Sequence, residues 1–384
     1  MRPMHDTSAR RRRRARLRAA LALAAAATLP VGAARAQGAT GDTTHTARPP
    51  LANGAPYPLA PSPVFDARHL TASPVLGGYV AVRQTRRNDS TLFAVSRARV
   101  TVMVAPRSYV AVRLQADLSN VGRVARDSSV AASLLTDAYL QLTPPPSSAG
   151  AWYAAIEPAL LVGQFRSPFS LEYLTPFSLL KTVNRSAAVD RLSLKRDIGA
   201  MAQLAVAHRV TLAGALLNGG GPNATRNPDD RELAVGRVTL RPVSSLALSG
   251  KWGGEGPDHL WGYDARWLWR GATVEGEALH RQGRVPGSGT VAASSPPYAA
   301  GGGYVLAAYR VLPWLEPVLK WERIREERAP AAGGISSSER WLTAGATVAT
   351  PDDHVRLQAN WIDKRFHPLE RHANELVAQL IAVY

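Results

Sequence analysis

The 384-residue sequence has no cysteine and only five lysines. Without cysteine there are no disulfide staples, no thiol catalysis and no cysteine metal sites. With so little lysine, positive charge rests almost wholly on arginine. Beyond the N-terminal region no apolar run approaches the ~18 residues of a membrane-spanning helix, and no sustained helical stripe is present. The nine histidines form no HxxxH or HxH pair, and His367 and His372, near Glu370, read as a solvated loop rather than as metal ligands. A GxSxG nucleophile elbow and a P-loop are missing too. No enzyme, metal or cofactor is expected from this inventory.

What is present begins with an export tag. Arg10 to Arg14, Arg16 and Arg18 form a basic region, Ala19 to Ala27 an apolar one, and Ala34-Arg35-Ala36 a small-x-small cleavage site. That order is a secretory signal peptide, expected over residues 1–36, with an apolar run too short for a spanning anchor. The tag carries nine Arg and one Asp, so its removal lowers the formal charge from +17 to +9. The main reason to expect a nucleic-acid partner goes with it. Residues 37–75, rich in Pro, Thr and Ala and without periodicity, are expected to form a flexible periplasmic segment.

From 76 to 384 the pattern has period two. "YVAVRLQADL" sets Val110, Val112, Leu114 and Ala116 against Tyr109, Ala111, Arg113, Gln115 and Asp117. "HVRLQANWID" sets Val355, Leu357, Ala359 and Trp361 against His354, Arg356, Gln358 and Asn360. Such alternation marks strands with one apolar and one wet face, and about sixteen segments of the kind can be counted. The connectors alternate in length: "PRS", "HRV", "RG" and "TPDD" interleave with "NVGRVARDSSVAA", "NGGGPNATRNPDD" and "RQGRVPGSGTVAASSPPY". Long loops on one rim and tight turns on the other belong to a transmembrane β-barrel rather than to a soluble sandwich. Inside hydrocarbon every backbone N–H and C=O needs a protein partner, so a sheet there must close. The expected fold is all-β, an antiparallel outer-membrane barrel of about sixteen strands, with lipid outside and a water-filled lumen inside. Trp152, Tyr153, Trp252, Trp261, Tyr263, Trp267, Trp269, Trp314, Trp321, Trp341 and Trp361 are candidates for interfacial girdles.

One stretch breaks the rhythm. Residues 160–204, "LLVGQFRSPFSLEYLTPFSLLKTVNRSAAVDRLSLKRDIGAMAQL", begin and end as strands but detour between them through a long polar and aromatic connector, the third long loop. Its "VGQFRSPFSLEYLT", "NRS" and "RDIGAMAQ", and the later "LLNGGGPNATRNPDDRELAVGRVTLRP", resemble the phosphate-selective porin O and P family. The terminal Tyr384 is similar to the aromatic assembly signal of bacterial outer-membrane barrels, which usually ends in Phe. The family resemblance implies a homotrimeric, anion-preferring channel in which the third long loop folds inward and narrows the lumen. It carries over at Gln164, Phe165, Arg166, Pro168 and Phe169, at Asn184 and Arg185, and at Arg196 and Asp197; five lysines cannot supply the lysine part of a phosphate-guiding ladder.

The residue chemistry agrees in outline. Between Ser167 and Asp197, Lys181, Arg185, Arg191, Lys195 and Arg196 face Glu172, Asp190 and Asp197, an excess of +2. With Arg166 they are the expected constriction. Strand parity adds Arg97, Arg99, Arg113, Lys251, Arg266, Lys320 and Arg356 to the lumen wall, mixed with Asp117, Glu275, Glu277, Glu316 and Glu322. A charge ring of this type sets selectivity without catalysis. The expected role is passive diffusion of small hydrophilic, preferentially anionic solutes. The rivals are an unselective channel, a loop-blocked structural barrel and an outer-membrane barrel enzyme.

Overall fold

The strands form where the alternation puts them. A computed structural model describes residues 57–67, 69–87, 90–121, 134–144, 156–224, 227, 230–284, 297–328 and 335–384. The expected signal peptide, residues 37–56, Trp152, Tyr153 and most of the long connectors lie outside the described residues. The first eight strands are β1 (Val75–Arg87), β2 (Ser90–Arg107), β3 (Val110–Asp117), β4 (Leu135–Leu142), β5 (Ile156–Arg166), β6 (Arg196–Val206), β7 (Val210–Leu217) and β8 (Leu233–Val243). The second eight are β9 (Leu246–Glu255), β10 (Asp258–Trp269), β11 (Ala272–Arg284), β12 (Pro297–Tyr309), β13 (Leu315–Arg328), β14 (Ile335–Ala349), β15 (Val355–His367) and β16 (Arg371–Val383).

Each strand pairs antiparallel with its sequence neighbour, and β1 pairs with β16, so no edge is left. Closure lets ladder groups find their partners within the sheet, as a lipid solvent demands. At the seam the backbones of Gly78 and Tyr384 exchange two N–H···O bonds of 3.1 Å, and the Tyr384 hydroxyl donates to the Arg99 carbonyl at 3.2 Å. A Cβ on residue 78 would stand 2.6 Å from that hydroxyl oxygen, so the close approach requires glycine.

Parity sorts the two faces. Leu140, Val162, Leu212, Val238, Val305, Leu319 and Leu380 point outward and are exposed, and Trp252, Trp261, Tyr263, Trp267, Trp269, Trp314, Trp321 and Trp361 join them. Trp341 departs from the expected girdle. It shares the inward parity of Thr343, packs beside Val183, Ile362 and Val377, and has the Lys364 ammonium 4.2 Å from its ring centre.

The lumen is not the open, polar tube that the strand count alone suggests. The connector between β5 and β6 folds inward, carrying α1 (Leu171–Leu174), a one-turn 3-10 helix (Phe177–Leu179) and α2 (Ala187–Leu192). Phe169, Val189 and Leu192 are buried against Leu217, Leu233, Val235, Leu260 and Leu279 of the inner wall. In that sector both faces of the sheet are apolar. A Cβ on residue 302 would stand 2.7 Å from the Arg323 carbonyl oxygen and 3.1 Å from the Ala188 methyl, so the loop packs there on bare glycine backbone.

A second element shares the lumen. Residues 57–67 and 69–70, part of the segment expected to be flexible, run inside the short-turn mouth as a strap. Tyr57 donates to Glu275 at 3.0 Å, Ser62 to Gln203 at 2.6 Å, and Phe65 exchanges backbone bonds of 3.0 and 2.8 Å with the Gln141 amide. A proline-rich stretch has carbonyls to offer and few N–H groups. The wall answers with donors: the Tyr139 hydroxyl reaches Pro63 O at 2.7 Å, and Leu70 packs on Met103, Ala105 and Ala111.

Candidate functional site

Two wall carboxylates organise the loop. Glu277 of β11 accepts from the Ser170 hydroxyl at 2.9 Å and from Leu171 N and Glu172 N at 3.2 Å each, so it caps the first turn of α1 from outside the loop. Glu322 of β13 accepts from Ala187 N at 2.7 Å at the start of α2. Unpaired N–H groups at a helix start favour an anion, and here the barrel supplies it. Both carboxylates are fully buried and balanced by lysine: Lys251 bonds Glu277 and, at 2.7 Å, Asp264, while Lys320 lies 3.1 Å from Glu322 and 3.7 Å from Glu172. Arg237 extends the network to Asp264 at 2.8 Å and the Phe169 carbonyl at 2.7 Å, and Arg266 pairs with Glu275 at 2.6 Å and reaches Thr175 at 2.9 Å. Burial pushes the Glu172 carboxyl up to about 8; Lys320 opposes the rise and Glu322 adds to it.

Around β1 to β6 the balance is different. Arg97 and Arg99 share one carboxylate, Asp117, at 3.7 and 3.0 Å; Arg113 and Arg196 share Asp137 at 3.3 and 2.7 Å. Among the described residues Arg166 and Arg185 hydrogen-bond only to carbonyls, the first to Leu174 at 2.8 Å, the second to Thr175 at 3.3 Å. Arg83 of β1, which hydrogen-bonds Gln379 and the Val183 carbonyl, adds to the same side. Aromatic rings interleave these cations. Arg185 lies 5.0 Å from the Tyr173 ring centre and 5.7 Å from that of Phe177, Arg97 lies 5.0 Å from Phe177, and Phe177 stacks on Tyr79 at 6.3 Å. Each ring face offers a guanidinium partial compensation without neutralising it. Tyr79 Oη, Arg97 Nε and Arg196 Nη2 are buried and have no hydrogen-bond partner among the described residues. A cavity of ≈ 430 Å³ opens between this cluster, the loop and the strap, lined by Tyr79, Arg113, Asp137, Arg166, Phe177 and Arg356 among others.

The expected cations therefore separate into two groups. Arg97, Arg99, Arg113, Arg166, Arg185 and Arg196 come together. Lys181 instead pairs with Glu316 at 2.6 Å, and Arg191 forks onto Glu339 at 2.8 and 3.0 Å. Lys195 is exposed beside a smaller cavity of ≈ 220 Å³ on the long-loop side. Lys251, Arg266 and Lys320 belong to the loop-holding network, and Arg356 bonds the Ser178 carbonyl at 3.1 Å and lies 3.4 Å from Asp353. Sequence reasoning missed Arg83 and Arg237. Arg237 sits on an inward face with Leu233 and Val235, where apolar loop packing erases the alternation that would have revealed it.

No protein-family model matches the chain, and no curated protein does. Solved structures do. The chain is similar to a loop-deletion mutant of OmpT, an outer membrane protein of Vibrio cholerae, at 11% identity and TM-score 0.56, covering 81% of this chain and 99% of that one. It is similar to the outer membrane channel DcaP of Acinetobacter baumannii at 12% identity and TM-score 0.55, with 82% and 98% covered. Salmonella typhi OmpF follows at 9% identity and TM-score 0.54, with 81% and 97% covered. With its closed sixteen-strand sheet and apolar exterior, the chain is a bacterial outer-membrane β-barrel of the porin fold.

Proposed function

We propose that the chain is an outer-membrane channel for passive diffusion of small hydrophilic solutes, with a preference for anions, phosphate-bearing ones among them. The path runs along the β1 to β6 flank through the ≈ 430 Å³ cavity. One observation carries the sign of the preference: on that flank arginines outnumber carboxylates, and buried Arg97 Nε and Arg196 Nη2 have no hydrogen-bond acceptor among the described residues. Donors of this kind stabilise an anion in transit, and carbonyl-held guanidinium groups bind it without the permanence of an ion pair. The same reading takes residues 1–36 as a signal peptide, the native form as a homotrimer and the chain as a non-enzyme.

The test is a planar-bilayer recording under a potassium chloride gradient. The reversal potential should report anion preference, and the Arg166→Gln/Arg185→Gln double variant should move it toward zero. An unchanged potential would relocate the filter. Because loop and strap together occupy much of the lumen, a blocked barrel is the second reading, and it would show no unitary current at all.

A further inference from the structure

The outward face carries a charge cluster that the lumen does not explain. Arg323 of β13 stands opposite Arg340 of β14, and Arg340 stands opposite Arg365 of β15. All three are exposed and share the outward parity of Trp321, Leu342 and Trp361. Directly opposed residues on one face of a sheet keep their Cβ atoms about 5 Å apart, and like charges so placed repel. Asp363 accepts from Arg365 at 3.1 Å and also takes His372, whereas Arg323 and Arg340 have no carboxylate partner among the described residues.

Their height on the barrel narrows the choice of ligand. β13 runs from the short turn before Leu315 toward the long connector after Arg328, so Arg323 lies in the long-loop, extracellular half, just beyond Trp321. Arginine on the lipid face is costly at the midplane and nearly free at the headgroups. A groove of ≈ 880 Å³ crosses the outer wall from Arg323 and Arg325 of β13 toward Val238 of β8, floored by Gly250, Gly276, Gly301 and Gly303. A Cβ on Gly250 would meet nothing within 4 Å, so the floor is open to whatever lies along it. A cationic head above an apolar trough has the charge and shape complementary to a lipid with an anionic end.

We infer that this face is a binding site for a lipid whose headgroup carries a phosphate monoester. The phosphate sits between Arg323 and Arg340, and an acyl chain lies in the groove beside Tyr263 and Val305. Guanidinium forks match phosphate oxygens two at a time, which relieves the arginine repulsion and fixes the lipid against exchange.

Native mass spectrometry of the full-length mature barrel in neutral detergent tests the site, with dioleoyl phosphatidic acid, dioleoyl phosphatidylcholine or inorganic phosphate added. Phosphatidic acid should be retained over phosphatidylcholine, and Arg323→Gln/Arg340→Gln should reduce that retention about tenfold or more, since each basic residue near a charged surface adds a comparable increment. Gly250→Leu, whose Cβ would meet nothing within 4 Å, places a side chain in the trough and should weaken retention of both lipids. Equal retention by the double variant would overturn the site. So would displacement of phosphatidic acid by inorganic phosphate at matched concentration, which would make the ligand a free anion. A Gly250→Leu protein that loses its oligomeric state yet keeps its lipid would make the groove a contact between copies instead.

Discussion

The two flanks of the lumen use the same residue types to opposite ends. From β8 to β13, Arg237, Lys251, Arg266 and Lys320 each face a carboxylate, and Lys251, Arg266 and Lys320 are about as buried as any side chain in the barrel. From β1 to β6, arginines share carboxylates two to one or have only carbonyls, and Arg97 keeps 37% of its side chain exposed. The difference teaches that charge in a pore has two uses. A compensated, dry network is mechanical: it holds α1 and α2 at their N-termini. An uncompensated, wetter one is left available to a solute, as the proposed path requires. Counting cations along the lumen therefore overstates the filter, because Arg237, Lys251, Arg266 and Lys320 serve the loop.

That contrast can be broken most severely at Lys251. Lys251→Met leaves Glu277 buried without its cation and Asp264 with Arg237 alone, a defect of about 3–5 kcal/mol. The expected result is a loop that detaches from the wall, seen as a lower heat-denaturation temperature and a conductance increase. A variant with native conductance would show that the network is dispensable. Next in size is Asp137→Asn, which removes the one carboxylate shared by Arg113 and Arg196. Anion-to-cation permeability from reversal potentials should rise; Asp264→Asn on the other flank should leave it nearly fixed.

Acidity sharpens the comparison further. The Glu172 carboxyl, pushed up to about 8, lies above the ordinary carboxylate value of about 4.3, so the folded loop keeps a proton that the unfolded chain has released. Stability contributed by that proton is complete at acid pH, falls between about pH 4.3 and about pH 8, and is gone above. Glu172→Gln should remove this slope, so the difference in denaturation temperature between variant and wild type should grow up to about pH 8 and then level. A constant difference across the range would argue that Glu172 is charged throughout. The smallest effect belongs to Arg191→Ala. Its partners are Glu339 and Glu326 on a half-exposed rim, worth about 0.2–1 kcal/mol, and selectivity should not move.

Much of the barrel was legible because lipid imposes a two-residue rhythm on every wall strand whose inner face is wet. β3 and β15 show it plainly, and all sixteen strands fall within a few residues of the alternating segments. The rhythm fails where protein replaces water inside. Leu233, Val235, Leu260 and Leu279 pack on the loop, which hid the inward face of β8 and with it Arg237. Trp341 was misplaced although its parity with Thr343 held the answer. The strap was invisible for another reason: an extended proline-rich segment has no periodicity, and its docking depends on Tyr139, Gln141 and Gln203 from distant strands. Pairing of arginine with carboxylate was equally out of reach, since Arg196 and Asp137 are 59 positions apart.

The helices of the loop span four and six residues. Pieces so short do not persist in water on their own. Their order is borrowed from Glu277 and Glu322, which come into position only after β11 and β13 have joined the cylinder. The waist of the pore must therefore be the last part to take shape, and a newly inserted barrel should pass through a brief, wide and leaky stage before it narrows.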